Sequence, residues 1–339
     1  MISRKIFAQI VWLSVILLTG CGKKTEIPSA PIVVDPVNSL AGKYPNPLNT
    51  AGADPGALYD NGNYYFYFTS GNGTGAMPIK WSSDLLSFTD NGARVFPLGK
   101  FPPWVTSGSY WAPEVSLLNG SYVCYYAAIG ADGWFKIGVA TAPSPAGPFT
   151  DKGTPLASNP NFSLIDPNFF HDPNSGKNYL LWKNNKNALS PAQPTQIVLQ
   201  EISADGLSLV GTSTDLLVND LSWEGAVIEA PSMLFRNGYY YIFYSANNYG
   251  TDKYAVGVAR CTTIKGTYTK SSYPILQSDS KFDGPGGQSI VTNSPIAPYL
   301  IFYHARLRSN PAAGRLLMLD QMNWGTDNWP TVNDGTPHD

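Results

Sequence analysis

The sequence has little cysteine and little charge. Three of its 339 residues are cysteines, which are too few for a disulfide framework. Charged side chains make up 14 % of the chain, and the formal net charge is -2. Because no basic patch is visible, the sequence gives no electrostatic reason to expect a nucleic-acid partner.

Long helical patterns and the common catalytic motifs are also absent. No His-Glu-x-x-His motif or cysteine pair indicates zinc. No nucleophile elbow precedes His171 or His304, which argues against a serine hydrolase. The glycine-rich stretch 71–75 is not followed by a helix that could present amides to a phosphate. These absences disfavour zinc, serine-nucleophile and nucleotide chemistry.

The first 44 residues are predicted to lie outside the folded domain. An apolar run ending at Leu18 is too short to span a bilayer comfortably and fits a signal peptide over residues 1–20. The sequence up to Cys21 resembles a bacterial lipobox, with Cys21 as the lipidated residue; an ordinary secretory signal is the alternative. Residues 21–44 indicate a flexible tether. We therefore expect a bacterial cell-envelope lipoprotein, at the outer membrane, cell surface or periplasm, whose lipid anchor is its one membrane contact.

Aromatic residues are abundant, at 13 % of the chain, and many lie in a repeated pattern. Three segments share a proline, an Asn-Gly pair and an aromatic strand at the same places. Asn-Gly between two such runs is a strong hairpin signal, because both residues tolerate a positive φ. Two looser copies complete a set of five: residues 55–68, 113–126, 166–182, 231–244 and 288–303.

The length of the repeat predicts a β-propeller. The aligned prolines at positions 55, 113, 167 and 231 are separated by 58, 54 and 64 residues. A unit of this length with three or four strands is typical of a propeller blade. We therefore predict an all-β, five-bladed β-propeller over residues 45–339, although the closure of its ring is not visible in the sequence. Cys124 and Cys261 fall in different blades, so we expect free thiols.

Four acid-proline elements mark the starts of four repeats: Asp54-Pro55, Pro113-Glu114, Asp166-Pro167 and Glu229-Ala230-Pro231. The first strand of a blade lines the central channel, so these carboxylates are expected to converge near one mouth of the channel. Mutual repulsion raises the pKa of at least one crowded carboxyl group. Glycoside hydrolysis needs such a division between a protonated acid and an ionised carboxylate. If side chains alternated strictly along the strand, Glu229 would lie on the face opposite to that of the other carboxyl groups, unless the strand start is irregular.

The same segments resemble the signature blocks of glycoside hydrolase family 43, and the resemblance extends from about residue 45 to the end. It implies inverting hydrolysis of α-L-arabinofuranosides, arabinan or β-xylosides. It also implies roles for three carboxyl groups: Asp54 as general base, Glu229 as general acid, and Asp166 as the residue that modulates the pKa of the acid and holds it in place. The blocks that carry the resemblance are Ala53-Asp54-Pro55, Trp111-Ala112-Pro113-Glu114, Ile165-Asp166-Pro167, Glu229-Ala230-Pro231-Ser232 and Tyr303-His304-Ala305.

Other residues are candidates for contacts with a sugar. Trp111, Phe170 and Trp223 are possible stacking surfaces, and packing between blades is the alternative for each. Glu114 is interpreted as a channel carboxylate near the sugar or as structural support. Arg306 is a candidate for contacts with sugar hydroxyls.

Two further assignments complete the site. Family members place a histidine near calcium or another cation in the channel, which makes His304 the candidate metal ligand; a buried histidine without a metal is the alternative. No cofactor is expected to be required for the chemistry. Glu224 is a rival general acid, but the Ala-Pro-Ser that follows Glu229 favours Glu229.

The predicted activity is inverting hydrolysis of α-L-arabinofuranosyl linkages in a plant-type polysaccharide or oligosaccharide, by a monomer. A β-xylosidase with the same acids, a non-catalytic carbohydrate-binding propeller and a retaining fructan-type enzyme are the alternatives. In a retaining enzyme the carboxyl groups lie about 5–5.5 Å apart. The choice between exo and endo action depends on loops 71–78, 184–194 and 249–253.

Overall fold

Five antiparallel β-sheets follow one another along the chain in a computed structural model that describes residues 40, 42–70 and 77–338. The helical elements of these residues are three short 3-10 turns, Lys186–Ala188, Ser222–Glu224 and Pro311–Ala313. The all-β prediction is confirmed. The predicted signal peptide, Cys21 and most of the predicted tether lie outside the described residues.

Each sheet is one blade, and its strands are adjacent in chain order. Blade 1 has three described strands and the other blades have four. The strands are β1 Gly56–Asp60, β2 Asn63–Tyr67 and β3 Ile79–Ser82; β4 Tyr110–Leu118, β5 Ser121–Ile129, β6 Phe135–Ala142 and β7 Thr150–Asp151; β8 Leu164–His171, β9 Asn178–Asn184, β10 Gln196–Ile202 and β11 Leu209–Val218; β12 Ile228–Arg236, β13 Tyr239–Ala246, β14 Ala255–Cys261 and β15 Thr269–Lys270; β16 Phe282–Val291, β17 Leu300–Leu307, β18 Leu316–Trp324 and β19 Pro330–Val332.

The predicted Asn-Gly hairpins form in blades 1, 2 and 4. At each turn both residues have a positive φ, between 46° and 49° for the asparagine and between 80° and 82° for the glycine. This geometry belongs to a two-residue turn whose twist matches that of the flanking strands. The turns are Asn61-Gly62, Asn119-Gly120 and Asn237-Gly238.

The blades are arranged as a five-bladed β-propeller. Their first strands, β1, β4, β8, β12 and β16, contact one another in that order, and β16 contacts β1. Five hydrophobic clusters follow the same order, one between each pair of neighbouring blades. Tyr241 and Phe243 are fully buried in the cluster between blades 4 and 5. Burial of a large apolar side chain contributes about 1.5–3 kcal/mol, so these clusters fix each blade against its neighbours.

The ring closes where residues before blade 1 meet blade 5. Ala51 pairs with Leu316 at the start of β18. Leu40, within the predicted tether, is buried in the cluster between blades 1 and 5, so packing of the described chain begins before the predicted boundary at residue 45. As predicted, Cys124 and Cys261 lie in different blades and are free.

Candidate active site

The start of every inner strand has the same backbone irregularity. At the equivalent position of each blade one residue has a positive φ, between 46° and 61°: Asp54, Ala112, Asp166, Ala230 and Gly287. In blades 2 to 5 the pairing with the next strand shifts register at this residue. Four of the five residues precede a proline, which disfavours such a conformation, and the strain costs roughly 1–3 kcal/mol at a non-glycine residue.

This bulge explains why Glu229 faces the pocket, although strict alternation of side chains along the strand would place it on the opposite face. Glu229 lies one residue before the bulge, like Ala53, Trp111 and Ile165, and all four line one open pocket. In four of the five blades the residue two positions after the bulge lines the narrow central channel instead, and Glu114 is one of these residues. The irregular strand start therefore allows carboxyl groups at different sequence offsets to face the same space.

The open pocket has a volume of about 400 Å³. Blades 1, 3 and 4 each contribute one of the three predicted catalytic carboxyl groups to its wall. The narrower channel, about 30 Å³ in volume, is also lined by Asp54 and Asp166. Residues around the pocket are Ala53, Asp54, Thr69, Trp111, Ile165, Asp166, Glu229, Ala230, Tyr249, Tyr254 and Arg315.

Asp54 is held by donors on both carboxylate oxygens. Arg315 Nη1 lies 3.0 Å from Oδ1, and Thr69 Oγ1 donates to Oδ2 at 2.6 Å. The side chain keeps 22 % of its surface exposed toward the pocket. A carboxylate that is oriented in this way and remains open to solvent is suited to accept a proton from a water molecule.

Asp166 is half-buried between the pocket and the channel and is close to other acidic groups. The pKa of Asp166 is raised to about 7. Burial is the largest cause, and the negative charges of Glu229 and Asp54 act in the same direction, whereas the Lys183 ammonium and the backbone N–H of Ala230 lower the pKa. The Ala230 N–H donates to Asp166 Oδ2 at 2.9 Å. Asp166 therefore supports the residue that follows Glu229 and retains a proton up to about neutral pH.

Glu229 has a cation and a hydroxyl as partners. Lys183 Nζ lies 2.7 Å from Oε2, and the Tyr254 hydroxyl donates to Oε1 at 2.9 Å. Lys183 keeps 2 % of its side-chain surface exposed and Glu229 keeps 14 %. The ion pair and the hydroxyl fix the direction of a carboxyl group that still reaches the pocket.

Side chains of the preceding blades stabilise the strained bulges. Thr69 accepts from the Ala112 N–H at 2.9 Å, as Asp166 does from the Ala230 N–H. Ser245 accepts from the Gly287 N–H at 2.9 Å. These bonds satisfy backbone donors and link blade 1 to blade 2, blade 3 to blade 4 and blade 4 to blade 5, so the site and the ring support each other.

Two other glutamates considered from the sequence, Glu114 and Glu224, are separated from the open pocket. Glu114 faces the channel, where burial raises its pKa to about 8. Glu224 is fully buried, accepts a hydrogen bond from the Tyr244 hydroxyl at 2.7 Å and lies 2.7 Å from Lys270 Nζ. Glu224 is therefore a structural carboxylate next to β13, whereas Glu229 lines the pocket.

The predicted sugar-binding residues lie in different places. Trp111 lines the pocket and stacks on Phe135, with ring centroids 3.9 Å apart. Phe170 lines a separate pocket together with Met233. Trp223 stacks on Tyr244 and is not among the residues around the active-site pocket. Of the three aromatic residues, the structure brings Trp111 together with the carboxyl groups.

Arg306 contacts the backbone of a loop. Its Nη1 donates to the carbonyl oxygen of Tyr249, and its Nη2 donates to that of Thr251 at 3.0 Å. Arg306 is not among the residues around the pocket, whereas Tyr249 is. The arginine therefore acts on the pocket through the loop in this structure.

The surroundings of His304 do not fit a cation held by protein side chains. Burial, followed by the charges of Arg315 and Arg306, lowers the pKa of His304 well below its ordinary value. The Asp54 N–H donates to Nδ1 at 3.2 Å, which places the proton of the neutral ring on Nε2. Nε2 is buried without a partner among the described residues, and no group of three or more His, Cys, Asp and Glu within that part of the chain could hold a metal. No step is therefore assigned to a cation.

Four functional residues were not predicted from the sequence: Lys183, Tyr254, Thr69 and Arg315. Lys183 is the one charged residue of β9, whose sequence is otherwise apolar or amide-bearing, and this was a usable signal. Tyr254 and Arg315 follow loops, and their distance from the acidic residues in the sequence conceals their contacts. None of the four lies in the repeated acid-proline elements.

Comparisons with known proteins agree with this architecture. The family model for glycosyl hydrolases family 43 matches residues 44–330. The β-D-galactofuranosidase xynD of Aspergillus niger is 30 % identical over 286 residues, which are 80 % of this chain and 78 % of that protein. A probable arabinan endo-1,5-α-L-arabinosidase C of Aspergillus clavatus is 29 % identical over 329 residues, 87 % of this chain and 97 % of that protein.

A solved structure shows the same fold. An endo-1,4-β-xylanase from Bacteroides thetaiotaomicron has a TM-score of 0.71 at 26 % identity, with 84 % of this chain and 94 % of that chain covered. The family model covers most of the chain, including all three pocket carboxyl groups. The chain therefore belongs to glycosyl hydrolase family 43 and is a glycoside hydrolase.

Proposed function

We propose that this protein hydrolyses α-L-arabinofuranosyl linkages in arabinan or an arabinose-decorated polysaccharide, with inversion of configuration. Asp54 acts as general base on the attacking water, and Glu229 protonates the departing glycosidic oxygen. Asp166 holds Glu229 in place and modulates its protonation. The observation that carries the proposal is that these three carboxyl groups meet in one pocket and have three different environments.

The different environments support the division of roles. Asp54 is oriented by Arg315 and Thr69, as a carboxylate that accepts a proton should be. Glu229 approaches the pocket from blade 4, which is not a neighbour of the blade that carries Asp54. A sugar between the two blades would have a base on one side and an acid on the other, as an inverting mechanism requires.

Protonation of the leaving group needs a proton in the pocket at neutral pH, and Asp166 is a carboxyl group that retains one. It retains a proton up to about pH 7, because burial and the charge of Glu229 disfavour its ionised form. In the proposed mechanism Glu229 transfers a proton to the leaving group, and Asp166, a neighbouring carboxyl group that retains its proton, modulates this step.

The relatives favour furanosides, with a xyloside as the second candidate. One curated relative is named a probable arabinan endo-1,5-α-L-arabinosidase, and another, a β-D-galactofuranosidase, is named for a five-membered sugar ring. The name of the xylanase structure supports the alternative of a β-xylosidase with the same three acids. A non-catalytic carbohydrate-binding propeller is disfavoured, because such a protein would not need to retain all three carboxyl groups.

The proposed activity is tested with nitrophenyl arabinofuranoside, nitrophenyl xyloside and linear arabinan. We expect turnover of an arabinofuranosyl substrate, and the loss of one catalytic carboxyl group to reduce it by about 10²–10⁴-fold. The variants are Asp54→Ala and Glu229→Ala, with Glu224→Gln as the control for the rival acid. Unchanged turnover in either catalytic variant would refute the assigned roles, and an inactive wild type on every pentoside would favour the binding protein.

Two further measurements separate the acid from the base. Glu229→Ala should lose less activity on a substrate with a good leaving group, because dinitrophenolate departs without a proton, whereas Asp54→Ala should lose activity on both substrates. Proton NMR during hydrolysis should first show the inverted anomer of the sugar. First formation of the retained anomer would replace the proposed mechanism with a double displacement and would favour the fructan-type alternative.

We also propose that Cys21 is lipidated and anchors the enzyme in the bacterial cell envelope as a monomer. The support is the lipobox-like sequence before Cys21, which lies outside the described residues. Within the described part of the chain, no helix is both long and apolar enough to cross a membrane. Cys21→Ser should abolish incorporation of labelled palmitate and release the protein from the membrane fraction; membrane retention of this variant would refute the anchor.

A further inference from the structure

The loop between β13 and β14 places an aromatic side chain at the rim of the active-site pocket. Tyr249 belongs to this loop, lines the pocket and keeps 54 % of its surface exposed. By comparison, the side chains of Asp54 and Glu229 are 22 % and 14 % exposed. Tyr249 therefore lies farther out than the carboxyl groups between which the cleaved linkage would be placed.

Blade 5 and its linker hold this loop by its backbone. The two terminal nitrogens of Arg306 donate to the carbonyl oxygens of Tyr249 and Thr251. Ser278 Oγ donates to the carbonyl oxygen of Asp252 at 2.6 Å. Three carbonyl groups within four residues are thus fixed from outside the loop. A fixed loop loses less conformational entropy when a ligand binds.

The ring of Tyr249 is also tied to the catalytic base. The Arg315 guanidinium lies 5.1 Å from the centroid of the Tyr249 ring, and the same side chain contacts Asp54 Oδ1. A cation at this distance from a ring face is attracted to it. The position of the aromatic surface is therefore set relative to the site of water activation.

We propose that Tyr249 is the stacking surface for a sugar ring adjacent to the cleaved linkage, and that Arg306 is the positioning residue that holds it. An exposed aromatic ring with a fixed backbone binds the apolar face of a sugar while its polar edges remain hydrated. The ligand is a pentose oligosaccharide rather than a single glycoside, because Tyr249 lies at the rim. This inference rests on the proposed function and specifies how that site binds a chain substrate.

The test compares two substrates in four variants. Linear 1,5-α-L-arabino-oligosaccharide extends to the rim, whereas nitrophenyl arabinofuranoside does not present a second sugar. Tyr249→Ala should lower kcat/KM on the oligosaccharide about tenfold, mainly through KM, and should have a smaller effect on the nitrophenyl substrate. Tyr249→Phe should restore most of the loss. Arg306→Met should likewise lower kcat/KM more on the oligosaccharide than on the nitrophenyl substrate. Tyr273→Ala alters an exposed tyrosine outside the pocket and should match the wild type on both substrates.

Several outcomes would overturn the proposal. Equal losses on both substrates, or no loss on the oligosaccharide, would exclude a stacking role for Tyr249. Failure of Tyr249→Phe to restore activity would assign the effect to the hydroxyl group. If the wild type hydrolysed neither substrate, the proposed function would fail, and calorimetric titration with the oligosaccharide would test the stacking surface alone. Equal affinity of the wild type and Tyr249→Ala in that titration would refute it.

Discussion

Replacement of Asp166 by asparagine is expected to stabilise the fold at high pH while it abolishes efficient catalysis. The pKa of Asp166 is raised from 3.8 to about 7, so ionisation of this group opposes folding. At about 1.4 kcal/mol per pKa unit, the ionised carboxylate destabilises the fold by up to ~4 kcal/mol above pH 7. Asparagine removes the charge and retains an oxygen that can accept from the Ala230 N–H.

The sign of the pH dependence follows from proton binding. Between pH 4 and pH 7 the folded wild type retains a proton on Asp166 that the unfolded chain has released, so its stability falls as the pH rises. The advantage of Asp166→Asn should therefore be small near pH 4, grow through this window and level off above pH 7. Asp166→Ala should gain less, because an unsatisfied Ala230 N–H costs about 1–3 kcal/mol.

Urea unfolding at a series of pH values from 4.5 to about 8.5 measures this difference. Asp172→Asn provides a matched control. Burial acts to raise the pKa of Asp172, but hydrogen bonds from Ser175, Asn174 and Tyr240 outweigh it and lower the pKa. Asp172→Asn should therefore destabilise the fold by an amount that is constant over this range. An Asp166→Asn variant that is no more stable than the wild type at pH 8, or whose advantage does not change with pH, would refute the reasoning.

Three other substitutions test separate parts of the site. Glu224→Gln should reduce the free energy of unfolding by about 1–3 kcal/mol, because it removes the charge of a fully buried carboxylate while Lys270 keeps Asp220 as a partner; a loss below about 1 kcal/mol in urea would contradict its structural role. Gly287→Ala should lower kcat, since its Cβ would lie 2.9 Å from Asp54 Oδ1 at a φ of +61°; wild-type kinetics would show that the bulge is not rigid. Lys183→Met should raise the pKa of Asp166 further, because the Lys183 charge lowers it; the pH-dependent window of urea stability should then move upward, and an unchanged window would exclude this coupling.

Local sequence signals predicted the blades well. An asparagine and a glycine with positive φ form each of the three predicted tight turns, because these residues tolerate this conformation without help from the rest of the fold. The five aromatic strands predicted the number of blades, since each buries its side chains against a neighbouring blade. The sequence could not predict that Trp111 lines the active-site pocket and Phe170 a separate one, because both are aromatic residues on the inner strand of a blade.

The sequence by itself determined the class of fold and the number of blades, because the repeat and its turns act over a few residues. It also predicted carboxyl groups at the starts of four blades. The tertiary structure alone decided which carboxyl groups share a pocket. Ala112, Asp166 and Ala230 adopt a conformation that a following proline disfavours, and bonds from or to a neighbouring blade help to stabilise it. Closure of the ring brings Arg315 to Asp54 across 261 positions of the chain. Contacts over such a separation depend on how the blades pack, and no local preference encodes them.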